Sequence, residues 1–356
     1  MDSAQLAERF PLSDLSSQPT REPVVEVETA VGPLLLPRAD QFITQILLQG
    51  RFWEGPETRY LRSTLGRGQT FVDVGAHVGY FSVLAAKRVG PTGTVIAVEP
   101  EARNLDLLHR NLARNGCSNA VVLPFAAHSV NGQMSLALEE ENRGAHHLVP
   151  LGEAATTVRC VRLDDVLPTT VDVVKIDAQG YDHEILAGLE QTLAANPGMI
   201  VIAELSHGEL GRRGVDVASV LAGYEALGLT ISIFDGRGRV RRVAAEDVLV
   251  RESPPDLSLI LERAPSFSAL GPSARPRIAD QLEVNEVSDG LIVFQPSRNR
   301  VHQLNQTAAV VLDLCTGERT VAEIASLLQQ TYELPHTPTD QVVECLERLA
   351  SEGLVS

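Results

Sequence analysis

Residues 70–82 read Thr-Phe-Val-Asp-Val-Gly-Ala-His-Val-Gly-Tyr-Phe-Ser, and their reading decides the fold. An apolar run turns on two glycines and enters a second apolar run, Val83-Leu84-Ala85-Ala86. That is a strand, a tight turn and a helix. Gly75 and Gly79 carry no Cβ, so a ligand can approach the main chain. The free N–H groups of the helix start are expected to face the same gap. Such a turn suits a nucleotide-bearing cofactor.

Working outward, strands and helices alternate. Strands are expected at 70–74, 94–99, 120–125, 171–176, 199–205, 230–235 and 257–262. Helices are expected at 80–89, 101–115, 183–196 and 215–228, with extra strands at 136–138 and 157–162 around an irregular loop, 139–152. The alternation predicts a parallel or mostly parallel sheet covered on both faces. Upstream, residues 1–22 read as a short helix or loose arm, 24–36 as a hairpin turning at Val31-Gly32-Pro33, and 41–50 and 57–65 as helices. This segment either covers the cofactor or decorates the core. The stretch 263–279 is rich in Pro, Ser and Ala without periodicity, the composition of a linker. Beyond it come three short strands (282–287, 291–295, 301–304) and three helices. The second helix opens on a capping box at Thr320 and Glu323, and the third on Thr337 and Pro338. The division is 1–69 arm and cap, 70–262 the alternating α/β domain, 263–279 linker and 280–356 a small α+β domain.

Composition bounds the function. Of 356 residues, Asp and Glu number 46 against 30 Lys and Arg, a net charge of −16, which speaks against nonspecific nucleic-acid or anionic-membrane partners. Mean hydropathy is +0.02, and 44% apolar residues supply a core. Four scattered cysteines without a C-x-x-C pair argue against a disulfide framework or zinc site. No signal peptide or roughly 20-residue apolar span is present in the sequence, so a cytoplasmic protein is expected.

The glycine spacing selects the cofactor. A dinucleotide turn needs G-x-G-x-x-G, whereas here Ala76, His77 and Val78 separate Gly75 from Gly79. Asp73 would repel a pyrophosphate but suits the amino group of S-adenosylmethionine (SAM). Glu99, before Pro100 at the end of the next strand, can accept from both ribose hydroxyls.

These residues resemble the FkbM family of SAM-dependent methyltransferases. The resemblance rests on 71–82, on Val-Ile-Ala-Val-Glu-Pro at 95–100 and on Val-Lys-Ile-Asp-Ala-Gln-Gly-Tyr-Asp at 174–182, and covers about 25–262. His77 stands where the family often has Asn, and Gln179 where it often has Glu. The resemblance implies an α/β, Rossmann-like class I methyltransferase sheet with helices on both faces. It places Asp73, Gly75, Ala76 and Gly79 around the methionine end of SAM, with His77, Tyr80 and Phe81 also among the cofactor-binding residues. It places Glu99 and Pro100 at the ribose, Asn104, Ala126 and Ala127 near the adenine, and Asp177 beside the sulfonium. Candidates for a base are Glu204, His207 and His147, with His146 and His183 behind them; no metal site is expected.

The tail, through Leu-Ile-Val-Phe at 291–294, Val-His-Gln-Leu-Asn at 301–305 and Gly-Glu-Arg-Thr-Val-Ala-Glu-Ile at 317–324, resembles the PqqD-like family. These are winged-helix-like precursor-peptide recognition elements of ribosomal natural-product pathways. The resemblance implies a leader peptide pairing with the edge strand at Val301, His302, Gln303 and Leu304, its apolar side chains near Val343, Leu346 and Leu349. The combined expectation is an O-methyltransferase acting on a captured precursor peptide, with a homodimer left open. Two other readings stand beside it: a small-molecule methyltransferase whose tail binds a partner, and a non-catalytic leader-binding adaptor.

Overall fold

The computed structural model describes residues 23–356, except 140, 155, 235–237, 250–255, 264–270, 280–281, 297–299 and 356. The arm expected at 1–22, part of the 263–279 linker and the turn at 297–299 lie outside the described residues.

The chain enters on a hairpin, β1 (Val24–Thr29) and β2 (Gly32–Pro37), then helices α1 (Ile43–Gly50) and α2 (Gly55–Thr64). The hairpin turns at Ala30 and Val31, one step earlier than expected, because Thr29 pairs with Gly32 and its Oγ1 donates to the Gly32 carbonyl at 2.6 Å. The alternating unit follows: β3 (Thr70–Val74), α3 (Tyr80–Val89), β4 (Thr94–Val98), α4 (Ala102–Arg114) and β5 (Ala120–Leu123). A small side sheet of β6 (Ala126–Ala127), β7 (Gly132–Ala137), β8 (His147–Val149) and β9 (Thr156–Val161) flanks it. Then come β10 (Val173–Ile176), α5 (Asp182–Ala187), α6 (Glu190–Ala195), β11 (Ile200–Ser206), α7 (His207–Arg212), α8 (Val217–Ala226), β12 (Leu229–Phe234), β13 (Val240–Val243), α9 (Ala245–Leu249) and β14 (Asp256–Arg263).

Eight strands form the main sheet in the order β13-β12-β14-β11-β10-β3-β4-β5. From β11 to β5 the pairing is parallel, and β14 is inserted antiparallel between β11 and β12. The order reverses between β3 and β10, which makes the gap above their carboxyl ends the switch point where ligands bind. Alternation along the strands builds two cores. Val72, Val74, Ile96 and Val98 pack on one face. Phe71, Val95 and Ala97 pack on the other, with the hairpin, α1 and α2.

Two helical differences have local causes. The single helix expected at 183–196 is two, broken where Gly188 passes close to the His128 carbonyl; a Cβ there would lie 2.6 Å from that oxygen. Helix α7 was not expected, though Ser206-His207-Gly208-Glu209 carries its cap: Ser206 Oγ accepts from the Glu209 N–H at 3.4 Å.

The small domain has β15 (Glu283–Val287), β16 (Gly290–Gln295) and β17 (Arg300–Asn305) as an antiparallel sheet, then α10 (Gln306–Leu314), α11 (Val321–Thr331) and α12 (Thr339–Ser351). The capping box forms: Thr320 N–H donates to Glu323 Oε2 at 2.7 Å and Glu323 N–H to Thr320 Oγ1 at 3.2 Å. Thr337 does not cap α12; its hydroxyl donates to Gln329 Oε1, and Pro338 holds the cap position. From Gly271 onward the aperiodic stretch lies on the small domain. The Pro272 and Ala274 carbonyls accept from Ala322 and Val321, satisfying two of the helix-start donors of α11. An extended segment used this way has no reason to show periodicity.

Candidate active site

The glycine turn sits at the switch point. Gly75 has φ +78°, and a Cβ on it would lie 2.0 Å from the Asp177 carbonyl oxygen, so β3 and β10 close together only over a glycine. The turn's own donors, ahead of the helix start, are spent inside the protein. Gly75 and Ala76 both donate to the Val98 carbonyl, at 2.9 and 3.0 Å, and Gly79 to Ala76 at 2.8 Å. His77 N–H donates to Glu99 Oε2 at 2.9 Å. A phosphate would find none of these four donors open, whereas SAM, which has no phosphate, needs only the room and the carboxylates.

Those carboxylates are buried. Glu99 accepts from His77, from the Glu101 N–H at 2.9 Å and from Asn104 Nδ2 at 3.4 Å, and burial pushes its carboxyl up to about 7. Asp73 accepts from Ser82 Oγ in the first turn of α3 at 2.5 Å, and burial raises it to about 6. The Asn104 N–H bonds Glu101, which caps α4.

Two cavities meet above the turn, sharing Gly75, His77, Gly144 and Asp177 in their walls. The narrower, about 70 Å³, is walled by Glu99, Pro100, Asn104, Phe125, Ala126 and Ala127 from the sheet side and by Arg143, His146 and Leu148 from the irregular loop. Its lining suits an adenosine. The wider, about 330 Å³, runs from Asp73, Ala76, Tyr80 and Phe81 to Phe42, Trp53, Glu54, Lys175, Gln179, Glu204 and Asp256. The cap segment therefore forms part of the wall. Asp40, wholly buried, fastens it: its Oδ1 accepts from the Phe42 and Thr44 N–H groups, and its Oδ2 from the Arg143 N–H at 3.1 Å.

The wider cavity is rich in carboxylates around one cation. Lys175 Nζ lies 3.0 Å from Asp177 Oδ2, 3.5 Å from Glu54 Oε2 and 4.6 Å from the centre of the Phe81 ring. Burial alone would lower this ammonium, but Asp177, Glu54 and Asp73 hold it well above the usual lysine range. Burial drives Glu54 upward, to about 7. Burial, with Asp177, Asp182 and Asp256 nearby, pushes Glu204 up to about 10. Gln179 Nε2 spans Asp177 Oδ1 and Glu204 Oε2 at 3.3 and 3.4 Å. His77, at φ +50°, is lowered to about 4 by burial and stays neutral.

Asp177 and Glu204 thus share one cavity, with Asp73, His77, Tyr80 and Phe81. Gly79 does not line it; it caps α3 against Leu108. His207 opens α7, and His147 turns its Nδ1 to the Ala145 carbonyl at 3.1 Å; neither lines these two cavities, whereas His146 lines the narrower. The sequence reading missed Phe42, Trp53, Glu54, Lys175 and Asp256. Lys175, two residues before Asp177 on a buried strand, was the one legible signal, since a lysine buried there needs acids around it.

In the small domain Val301 is 58% exposed and Gln303 is also open, while Leu304 packs on the domain's own core. His302 turns to Glu352, with Nδ1 3.4 Å from Oε2. Leu346 and Leu349 are buried core, and Val343 lines a hollow with Gly271 and Pro272. A separate apolar groove of about 470 Å³ opens past the end of β17, between Thr307 and Val310 of α10, Leu328 and Tyr332 by α11, Leu334, and Val342 of α12.

Residues 73–228 match the methyltransferase FkbM domain family, and residues 290–355 match coenzyme PQQ synthesis protein D (PqqD). The chain carries an FkbM-type, SAM-dependent methyltransferase domain followed by a PqqD domain. Among curated proteins it is 29% identical over 156 residues to methyltransferase sdnD of Sordaria araneosa, covering 34% of this chain and 60% of that protein's length. Among solved structures it is similar to the FkbM methyltransferase of Methylobacillus flagellatus, at 17% identity and TM-score 0.37 over 56% of this chain and 47% of that one. It is also similar to TYW2 of M. jannaschii in complex with AdoMet, at 14% identity and TM-score 0.36 over 68% and 88%. Scores this low place no residue. Among the described residues, no helix is long and apolar enough to cross a membrane, and no three His, Cys, Asp or Glu side chains group as metal ligands. All four cysteines are free and buried.

Proposed function

We propose that the whole protein methylates a hydroxyl on a ribosomally made precursor peptide whose leader is held by the PqqD domain. The observation that carries this reading is in the small domain. Strand β17 has no strand partner on its outer side among the described residues, and the apolar groove opens directly past its end. A peptide can add a strand there and anchor a side chain in the groove, the β-augmentation mode. Tyr332 and Leu334, 56% and 37% exposed, sit at the mouth.

SAM, when bound, supplies an electrophilic methyl on a sulfonium. Glu99 would receive the ribose hydroxyls, and Asp73 the amino end. The cavity's charge favours a hydroxyl acceptor over a carboxylate: Asp177, Asp256 and an ionised Glu54 would repel a second anion, while Glu204, raised to about 10, holds its proton near neutral pH. Lys175, held by Asp177 and Glu54, offsets only part of that negative charge. Gln179 cannot take a proton. Asp177 and Glu204 are the groups placed to accept the hydroxyl's proton as the oxygen attacks. Glu204 must first be ionised to do so.

The test is mass spectrometry of short open-reading-frame products co-expressed with the full chain, with and without their N-terminal leaders. A methyl increment that needs the leader, and that Leu334→Asp or Tyr332→Ala weakens while SAM binding holds, supports the reading. Methylation indifferent to the leader, or seen only on small molecules, overturns it, and no methylation of any acceptor points to the adaptor.

A further inference from the structure

Arg300 opens β17, the strand offered above to a peptide, yet only 3% of it is exposed. Its guanidinium reaches out of its own domain. Nη2 donates to Ser232 Oγ of β12 at 2.8 Å and lies 3.6 Å from Glu262 Oε2 of β14, while Nη1 lies 4.0 Å from Glu352 Oε2 just past α12. Ser232 and Glu262 are themselves 1% and 5% exposed. The first two partners belong to the methyltransferase sheet, the third to the small domain. A guanidinium leaves water only where acceptors surround it, and removing one partner of such a set strands a buried charge. A domain swinging on a linker would leave Arg300 on its surface and Glu262 at an open sheet face. The seam continues at the β16–β17 turn, where Pro296 closes a hollow of about 130 Å³ with Arg59, Tyr60 and Ser63 of α2 and with Gly238 and Val240.

We infer that Arg300 locks the PqqD domain onto the methyltransferase sheet, so that β17 holds a fixed position relative to the cofactor cavity. The strand register says where that position is. Ser232 pairs with Ile260, Ile260 with Ile202, Ile202 with Lys175 and Lys175 with Asp73. Residues paired across a sheet point to the same face. The lock therefore lies in the same row and on the same face as the two cavity residues. Three strand spacings separate Ser232 from Lys175, roughly 14 Å. If the peptide reading above holds, an acceptor must lie at least about four extended residues beyond the stretch bound on β17. The domain pair then acts as a ruler, and not only as a tether that raises effective concentration.

The lock is tested without any peptide, so its failure and that of the peptide reading are distinguishable. Cysteines placed at exposed Ala222 of α8 and Glu344 of α12 take spin labels, the four native thiols being buried. Electron–electron resonance on the full chain should give one narrow distance peak. Arg300→Met should lose that peak to a broad distribution, while calorimetric SAM affinity stays within twofold or so, an allowance suited to a site three strands away. Glu262→Gln, on the other side of the seam, should do the same, and it decides the matter if Arg300→Met does not fold. A broad distribution in the unsubstituted chain, or an unchanged narrow peak in a folded variant, overturns the inference.

Discussion

Replacing Gly75 by alanine tests the turn from its geometry. The new Cβ would start 2.0 Å from the Asp177 carbonyl oxygen. Ordinary contact begins near 3.4 Å, so β3 and β10 must part by more than an ångström at their carboxyl ends. The neighbouring atom is backbone, and no rotamer relieves it. Left-handed backbone on an L-residue adds about 1–2 kcal/mol, and overpacking at a rigid site about 1–3 kcal/mol, for a total of roughly 2–5 kcal/mol. The part lost as cofactor affinity costs a factor of ten for every 1.4 kcal/mol or so. Gly79→Ala is the internal control. Its φ of +90° carries the same backbone strain, but its Cβ would meet Leu108 Cδ1 at 2.5 Å, the end of a side chain that can rotate. It also lies outside both cavity walls. The assay is calorimetric titration with SAM beside thermal melts of both variants. Gly75→Ala should lose at least about tenfold in affinity, and Gly79→Ala should melt lower yet bind nearly as the unsubstituted chain does. Equal behaviour of the two, or full affinity in Gly75→Ala, would refute the argument that strand closure over Gly75 shapes the site.

Glu99 must be ionised to accept from a ribose, and burial sets it at about 7; SAM affinity should therefore weaken as pH falls below about 7, and Glu99→Gln should flatten that dependence while costing about 1.5–3 kcal/mol. Glu204, raised to about 10, binds its proton more tightly folded than unfolded, so its contribution is full below pH 4.5 and is lost as pH climbs toward 10. Glu204→Gln should thus raise the melting temperature at pH 9 relative to pH 6, and if Glu204 takes the substrate's proton it should lower turnover with SAM affinity unchanged. Asp40→Ala removes the acceptor of three backbone N–H groups joining the cap to the loop over the narrower cavity. Bound SAM should leave faster, by stopped-flow, with little change in the sheet's far-ultraviolet signature.

The central part of this protein was legible because local chemistry fixes it. A β-branched run buried on both faces, glycines at a strand-to-helix turn and an acid at the next strand's end read the same in any context. The capping box at Thr320 and Glu323 is of that kind, since both partners lie within one helical turn. Where a residue's role depended on a distant partner, the reading failed. Nothing local showed that three of the turn's N–H groups are taken by Val98 and Glu99, which come from the neighbouring strand. His146 and His147 were indistinguishable until the fold put one in the wall of the narrower cavity and turned the other to Ala145. Leu346 looked like a binding stripe because an amphipathic helix shows its apolar face without saying whether its own domain covers it.

Sequence by itself determined the sheet with its cofactor turn and the presence of a second small domain, because periodicity and turn chemistry are carried by neighbouring residues. Tertiary structure alone decided the composition of the wider cavity, where Phe42, Trp53 and Glu54 from the cap meet Lys175 and Glu204 from β10 and β11. It alone also placed Arg300 against Ser232 and Glu262. These contacts join residues far apart in the chain, and no local pattern encodes which buried charge will find which partner.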